Sequence, residues 1–223
     1  MSRLSQVTRE TWKQILASAV AIFDDLERRQ LGTPDVVIGG GTVLMFRFEH
    51  RLSKDIDFFM HDVQWVTMLT PRLSDMTAAM ATDYIEQANG IKLILPHGDI
   101  DFVVSGTVTD AAPTETLDFM GRTFRLESTE EVLAKKLYYR AARFQPRDVF
   151  DLVVAAELDR ASAARAMAAV ASKWDVLKRR FEQLSELPLD KLAEGILPIG
   201  DFCRIVPTMV ESGRLLLQEA ARR

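Results

Sequence analysis

The apolar positions at the start of the chain recur at helical intervals. Residues 8–30 repeat apolar side chains every three or four positions, which predicts a long amphipathic helix. Gly32 and Pro34 follow this stretch, and a glycine near the end with a proline shortly beyond is typical of a helix C-terminus. The predicted apolar face consists of Ile15, Leu16, Ala19, Ile22, Phe23 and Leu26.

The middle of the chain changes to short β-like runs. An apolar strand at Val36–Ile38 leads into three glycines, and Asp55 and Asp57 open a second strand. Asn89-Gly90 and Gly121 each separate two β-like runs, and such turns predict hairpins. The other predicted elements are a loop with a short helix at 62–81 and strands at Tyr84–Gln87, Ile91–Leu95, Ile100–Val104, Thr116–Met120 and Arg122–Leu126.

From Ser128 onward the pattern is almost wholly helical. Ser128 and Glu131 have the spacing of a capping box, in which each side chain accepts from the backbone N–H of the other residue. Pro146 fits the first position of a helix, and Ser172 with Asp175 is a second predicted cap. Helices are predicted at 129–143, 146–158, 160–171, 173–185 and 209–222.

The change of pattern near Leu126 predicts two domains, residues 1–127 and residues 128–223. The predicted fold class is α/β (α+β), with a small mixed sheet and helices followed by a helical C-terminal region. We expect functional residues of the first domain to lie at one edge of this sheet.

Composition limits the kind of protein and its partners. The chain has 223 residues, a formal net charge of −4 and one cysteine, so a global basic field for nucleic acid and an internal disulfide framework are excluded. The N-terminus lacks the apolar segment of a signal peptide, and no apolar run approaches the roughly 18 residues of a membrane span. We therefore expect a cytoplasmic protein with no membrane partner.

Two carboxylates provide the first candidate chemistry. Asp55 and Asp57 are two residues apart on a predicted strand, so their side chains share a face while the apolar residues between and beyond them turn to the core. Hard carboxylate oxygens are the ligands that Mg²⁺ uses together with phosphate oxygens. The pair therefore predicts a divalent-metal site.

The glycine corner before this strand suits a phosphate. Gly39, Gly40, Gly41 and Thr42 lie between an apolar strand and a predicted helix start. Glycines allow backbone N–H groups to approach an anion closely, and the helix dipole favours negative charge at that end. Gly40, Gly41 and Thr42 are thus candidate nucleotide-binding residues. The alternative is that the glycines serve only tight packing or positive φ.

The combination of glycine corner and Asp-x-Asp resembles the DNA polymerase beta-like nucleotidyltransferase superfamily. The flanking words GGTVLMFRF and HRLSKDIDFF are similar, more narrowly, to the AbiEii/AbiGii toxin family of type IV toxin–antitoxin systems. The resemblance implies transfer of a nucleoside monophosphate from an NTP, with two Mg²⁺ ions. It also implies RNA, the tRNA 3′ end in particular, as acceptor and a cognate antitoxin as protein partner.

Paired magnesium ions need at least three carboxylates, so a third acid is expected on a neighbouring strand. Asp101, between Ile100 and Phe102, matches the apolar-Asp-apolar element of the family, and Asp99 on the same face is the alternative. Asp101 would bind the catalytic metal and help to take the proton from the acceptor, while Asp55 and Asp57 would bridge the metals and the triphosphate. Solvation of a strand end is the simpler alternative for each acid.

A second constellation lies in the helical half. Lys136 followed by Arg147-Asp148-x-x-Asp151 resembles later motifs of the family. The resemblance assigns triphosphate or nucleotide contact to Lys136, and Asp148 and Asp151 would position the base or this lysine. A salt-bridge network between helices is the alternative.

Two further features remain open at this level. Ser53 would face the metal site if its strand began early, where it would contact phosphate or accept a phosphoryl or nucleotidyl group that switches the enzyme off; otherwise it is a polar turn serine. A local basic surface would guide an RNA 3′ end, although solvated helix faces are the commoner explanation for such residues. This surface comprises Arg140, Arg143, Arg147, Lys173, Lys178, Arg179 and Arg180.

Two rival functions stay open from the sequence. The first keeps nucleotidyl transfer but directs it to a small molecule or a protein side chain. The second is a catalytically silent module that binds a nucleotide or a partner. Retention of the three acids and Lys136 favours an enzyme over the silent module.

Overall fold

The structure is a computed structural model that describes residues 7–222, and the chain divides into two compact units. The first unit comprises the chain up to Val43, Ser53–Gly106 and Pro113–Glu127, and the second comprises Leu44–Leu52, Thr107–Ala112 and the chain from Ser128 onward. The chain therefore changes unit after Val43, Leu52, Gly106 and Ala112, and a last time after Glu127.

The first unit contains a mixed sheet, to which seven strands of the described residues contribute. The strands are β1 Val37–Gly39, β2 Asp55–Met60, β3 Asp83–Gln87, β4 Gly90–Leu95, β5 Gly98–Val104, β6 Glu115–Phe119 and β7 Arg122–Leu126. Their order is β3-β4-β5-β2-β1-β7-β6, with β1 parallel to β7, β2 parallel to β5, and the other neighbours antiparallel. The predicted mixed sheet is confirmed, but it is larger than predicted.

Ten α-helices lie within residues 7–222. They are α1 Thr11–Arg28, α2 Gly40–Phe48, α3 Gln64–Leu69, α4 Asp75–Met80, α5 Thr129–Tyr139, α6 Pro146–Leu158, α7 Arg160–Ala169, α8 Trp174–Ser185, α9 Leu189–Ala193 and α10 Met209–Ala220. Three 3-10 helices are present at Ala141–Arg143, Ala171–Lys173 and Gly200–Ile205. Helix α6 begins at Pro146, as predicted, whereas α9 and the last 3-10 helix carry no clear apolar period and were not predicted.

The apolar face of α1 covers the sheet of the first unit. All six predicted face residues are buried. Phe23 lies against the rings of Phe58, Phe102 and Phe124, with ring centroids 5.6, 6.0 and 6.3 Å away. This packing fixes the inward face of β2 and β5, so the polar residues of both strands turn to the opposite face.

The second unit has its own helical core. Phe144 and Phe181 lie with ring centroids 6.0 Å apart, and α10 packs against α6 and α8. Gly213 permits this approach of α10, because a Cβ there would lie 2.6 Å from the Phe181 ring. The helices of this unit are thus held by an independent set of buried aromatic residues.

The start of α5 departs in part from the predicted capping box. The Ser128 hydroxyl accepts from the backbone N–H of Glu131 at 3.1 Å, as predicted. The Glu131 carboxylate instead accepts from the N–H groups of Val108 and Thr109, at 2.9 and 2.8 Å. These loop N–H groups have no strand partner, so a buried carboxylate satisfies them.

Two other expectations concern the ends of the chain and the second cap. The predicted cap at Ser172 is wrong, because Lys173 holds the N-cap position of α8 and makes no side-chain cap.

Residues 1–6, on which the expected lack of a signal peptide depends, lie outside the described residues. Among the helices that are described, none has the length and hydropathy required to cross a bilayer.

Candidate active site

The parallel pairing of β2 and β5 brings the predicted acids together. Asp55 lies opposite Asp99, and Asp57 lies opposite Asp101. Burial alternates at the start of both strands, so the four acids are half-buried on the other face. The buried residues between and beyond them are Ile56, Phe58, Ile100 and Phe102. Neighbouring strands are about 4.8 Å apart, which brings Asp57 and Asp101 within reach of a common ligand. The structure therefore places Asp101 on the strand next to Asp55 and Asp57.

A lysine from the next strand completes this carboxylate face, by which we mean Asp55, Asp57, Asp99, Asp101 and Lys92. Lys92 lies opposite Asp101 in the antiparallel pair of β4 and β5. Its Nζ forms an ion pair with the Asp101 carboxylate and lies 3.5 Å from Asp99 Oδ2.

The sequence analysis did not single out Lys92, although a signal was present. Lys92 interrupts the apolar run Ile91–Leu95, and strand alternation between buried Ile91 and Leu93 places it on the acid face.

The electrostatics show an excess of negative charge on this face. Burial and the neighbouring Asp57 carboxylate raise the pKa of Asp101 to about 6, although Lys92 opposes the shift. Burial also raises the pKa of Asp55, helped by Asp57 and Asp99. Burial alone would lower the pKa of Lys92, but the Asp101 carboxylate raises it above its usual value. The lysine ammonium groups near these acids thus do not offset burial and mutual repulsion at Asp55 and Asp101.

The glycine corner is built around Asp57. Gly40 begins α2 with a φ of +69°, and a Cβ at this position would lie 1.8 Å from Asp57 Oδ2. Glycine is thus required both by the left-handed backbone and by the close approach of the carboxylate. The packing alternative for Gly40 is therefore supported. The same packing brings the start of α2, with Gly41 in its first turn, against Asp57 of the carboxylate face.

The side chains of Thr42 and Ser53, two predicted phosphate contacts, are both buried. The Thr42 side chain is fully buried, and its hydroxyl donates to the backbone carbonyl of Asp55. It therefore ties α2 to the start of β2 rather than presenting its proton to a phosphate. Ser53 lies before β2, which begins only at Asp55, and is buried. The early strand start that would turn Ser53 to the metal site is not observed, and the turn interpretation fits better.

The carboxylate face suits a divalent cation in its chemistry. Within residues 7–222, no three His, Cys, Asp or Glu side chains are already arranged as a metal site, and Asp101 is turned to Lys92. The donors are nevertheless hard oxygens on one face, and burial together with repulsion from Asp57 raises the pKa of Asp101. A cation of higher charge than the lysine ammonium would relieve this repulsion.

The second predicted constellation forms a buried ion cluster in the second unit, comprising His50, Arg51, Lys136, Asp148 and Asp151. Lys136 Nζ donates to Asp148 at 2.8 Å and to Asp151 at 2.7 Å. Arg51 makes a bidentate pair with Asp151, at 2.6 and 2.8 Å, and His50 Nε2 lies 2.8 Å from the same carboxylate. The salt-bridge alternative is therefore supported for these residues.

The charges within this cluster are well matched. Burial alone would raise the pKa of Asp151, but Arg51, Lys136 and the His50 hydrogen bond hold that pKa well below its usual value of 3.8. The pKa of Asp148 is likewise lowered by Lys136 and Arg140 against the effect of burial. The sequence analysis missed the role of Arg51, because its partner lies 100 residues away and no local pattern connects them.

Asp148 also has a local structural role. Its carboxylate accepts from the backbone N–H of Gln145 at 3.1 Å, and the Gln145 side chain completes a capping box at the start of α6. A negative charge in the first turn suits the helix dipole. Asp148 thus both caps α6 and holds Lys136.

Comparison with known proteins places the fold. The structure is similar to the nucleotidyltransferase toxin MenT4 from Mycobacterium tuberculosis H37Rv, with a TM-score of 0.54 and 16% identity over 96% of this chain and 88% of that one. It is also similar to the antibiotic-resistance factor ANT(2'')-Ia, with a TM-score of 0.50 and 15% identity over 79% of this chain and 100% of that one. No curated protein sequence matches the chain.

A family model extends across both units. The model described as nucleotidyl transferase AbiEii toxin, type IV toxin–antitoxin system, matches residues 24–215. The match covers the glycine corner, the carboxylate face and the buried ion cluster, and therefore confirms the resemblance found in the sequence motifs. The chain belongs to the AbiEii family of nucleotidyltransferase toxins.

Proposed function

We propose that this nucleotidyltransferase moves a nucleoside monophosphate from an NTP to an RNA acceptor, in particular the tRNA 3′ end, in a Mg²⁺-dependent reaction. The observation that carries the proposal is the pairing of Asp57 with Asp101 beside the start of α2. The pairing brings acids from two strands to one face, and Gly40 brings a helix N-terminus against them. Together they fit a metal-bound polyphosphate.

Asp55, Asp57 and Asp101 would hold magnesium, and Asp99 is the alternative to Asp101 as the third ligand. When bound, a pair of such ions would stabilise the attacking and leaving oxygens. The N–H groups at Gly40, Gly41 and Thr42 would hold the β- and γ-phosphates, since the first N–H groups of a helix have no intrahelical partner.

The transfer itself exchanges one P–O bond for another. The acceptor oxygen forms a bond to the α-phosphorus while the bond to the bridging oxygen breaks, and pyrophosphate leaves with that electron pair. Asp101 would take the proton of the acceptor hydroxyl. The carboxylate face therefore supplies both metal ligands and a base, and the remaining requirement is in-line geometry.

For the buried ion cluster we propose a positioning role. Its hydrogen bonds support the interpretation that Asp148 and Asp151 hold Lys136, the residue to which the family resemblance assigns nucleotide contact. Lys136 is 7% exposed, so direct contact with a triphosphate would require one of its ion pairs to open. Ser53 has no part in this proposal, because it is buried and lies before β2 begins at Asp55.

The family indicates the protein partner and the compartment that we propose for this chain. A toxin of a type IV system has a cognate antitoxin as its functional counterpart, and an NTP–RNA reaction implies action in the cytoplasm. Transfer to a small molecule is the second candidate, because the fold is also shared with ANT(2'')-Ia.

The experiment compares the wild type with Asp57→Asn, using each α-labelled NTP with Mg²⁺ and total RNA. We expect label to enter RNA and the rate to fall by about 10³-fold in the variant, as for loss of a group that stabilises transition-state charge. The exposed strand acid Asp83, changed to Asn, is the matched control and should keep wild-type activity. Equal labelling by wild type and Asp57→Asn would overturn the proposal, and label in small molecules but not in RNA would change the acceptor.

A further inference from the structure

The second unit carries a local concentration of positive charge in an acidic protein. Residues 138–147 and 171–180 together contain seven Lys and Arg residues and one acid, Asp175, whereas the whole chain has a net charge of −4. The two segments lie together, because Arg180 Nε donates to the Phe144 carbonyl at 2.9 Å. They form one basic surface rather than two separate helix faces.

Two tyrosines are exposed within this surface. Tyr138 and Tyr139 end α5, with 38% and 52% of their surface exposed, and their rings meet edge to face at 5.1 Å. Lys173 Nζ lies 4.5 Å from the centroid of the Tyr138 ring, a cation–π distance. Both rings keep more than a third of their surface exposed, so neither is buried in the core of this unit.

The arrangement has the chemistry of a single-stranded nucleic-acid surface. Bases stack on exposed aromatic rings whatever their identity, and arginine and lysine side chains neutralise the phosphates between them. Arg140 and Arg143 directly follow the tyrosines, in a 3-10 helix and its cap, and Arg143 is exposed. A duplex would offer phosphates but no open base faces, so rings beside cations favour an unpaired strand.

We propose that Tyr138, Tyr139, Lys173 and Arg143 form a binding surface for single-stranded RNA, with Tyr139 as a stacking platform. The inference rests on the proposed function in taking RNA as the acceptor, and it adds the residues that recognise it. Lys173 covers Tyr138 and holds its ring, while the more exposed Tyr139 ring meets a base. Arg143 contacts a phosphate of the same strand.

The test measures binding of a fluorescein-labelled single-stranded RNA of about 12 nucleotides, a length within the range of roughly 4–16 nucleotides bound by single-strand modules. Fluorescence anisotropy is recorded without NTP at several salt concentrations. We expect Tyr139→Leu to weaken binding about tenfold and Tyr139→Phe to leave it unchanged, because only the ring is needed. Arg143→Gln should reduce the slope of log affinity against log salt by about 0.7, the value for one phosphate of a single strand.

Controls separate this inference from the proposed function. Arg214→Gln, on an exposed side chain of α10, should leave both affinity and salt slope unchanged. Equal binding by Tyr139→Leu and Tyr139→Phe, or no binding by the wild type, would overturn the RNA surface. Asp57-dependent transfer of label would still stand in that case. Conversely, RNA binding that depends on Tyr139, with no Asp57-dependent transfer, would support the surface and refute the proposed reaction.

Discussion

The two units each contain a group of aspartates beside a lysine, but their electrostatics are opposite. On the carboxylate face, Lys92 forms ion pairs with Asp101 and Asp99, yet burial and the Asp57 charge raise the pKa of Asp101 to about 6. In the buried ion cluster, two acids share a lysine, an arginine and a histidine, and the pKa of Asp151 is lowered. Undercompensated charge is typical of a site that awaits a ligand, whereas matched charge is typical of a framework.

The largest expected effect tests the matched cluster. Asp151→Asn removes the negative charge that faces Arg51 and Lys136 and replaces one acceptor oxygen with an NH2 donor, so the two buried cations lose their shared carboxylate. We expect the free energy of unfolding to fall by about 3–5 kcal/mol, the usual effect of breaking a buried pair. Urea unfolding measures it. Asp175→Asn, whose side chain is 92% exposed, is the control and should change stability by less than about 0.5 kcal/mol. If Asp151→Asn changed stability as little as Asp175→Asn, the buried ion cluster would not be the stabilising framework that distinguishes it from the carboxylate face.

The second prediction tests whether nucleotidyl transfer depends on the position of the Asp57 carboxylate. Gly40→Ala would place a methyl group against Asp57 Oδ2 at a positive φ, so the carboxylate must move. We expect nucleotidyl transfer to fall by about 10²-fold, as for a displacement of about 1 Å at a reacting centre. Gly106→Ala, where a Cβ meets nothing within 4 Å, should keep full activity. Unchanged activity in Gly40→Ala would show that the close contact has no catalytic role.

The pH dependence of stability should have opposite signs in the two groups. A carboxyl with a depressed folded pKa contributes stability that is present above its unfolded pKa of 3.8 and lost as pH falls through the folded value. Wild-type protein should therefore lose stability in acid below about pH 4, and Asp151→Asn should lose less. Urea unfolding at a series of pH values measures this, and parallel profiles for the two proteins would contradict it.

Asp101 provides the reverse case. Its folded pKa of about 6 lies above the usual 3.8, so the folded state holds a proton that the unfolded state releases. Stability should fall as pH rises from about 4 to about 6, and Asp101→Asn should abolish that part of the profile. If Asp101→Asn had the same dependence of stability on pH as the wild type, the titration of Asp101 would not be its cause.

The smallest expected effect concerns Lys92, the internal cation of the carboxylate face. Lys92→Met removes an ammonium that any bound cation must displace from Asp101. Because a partly exposed ion pair contributes roughly 1 kcal/mol, we expect Mg²⁺ to bind about fivefold more tightly. Isothermal titration with Mg²⁺ alone measures this, and Lys13→Met, on an exposed lysine of α1, is the control. Weaker Mg²⁺ binding in Lys92→Met would instead make Lys92 part of the ligand site.

Local patterns were sufficient where the physical cause is local. The apolar face of α1, the hairpins, the start of α6 at Pro146 and the Asp-x-Asp face each depend on residues within a few positions of one another. The glycine corner with Asp55 and Asp57 was also enough to indicate the family that the match over residues 24–215 confirms. These features follow from periodicity, turn chemistry and alternation, which any single segment already contains.

The tertiary structure decided what depends on distant partners. Only the register of β2 with β5 sets Asp101 opposite Asp57, and only the pairing of β4 with β5 brings Lys92 into the group. The Thr42 hydroxyl donates to the Asp55 carbonyl, and Lys136 donates to two buried acids; no local pattern indicates either contact. The sequence by itself determined which chemical groups are available. Which of them remain undercompensated depends on long-range contacts, because a charge is neutralised by its neighbours in space and not by its neighbours along the chain.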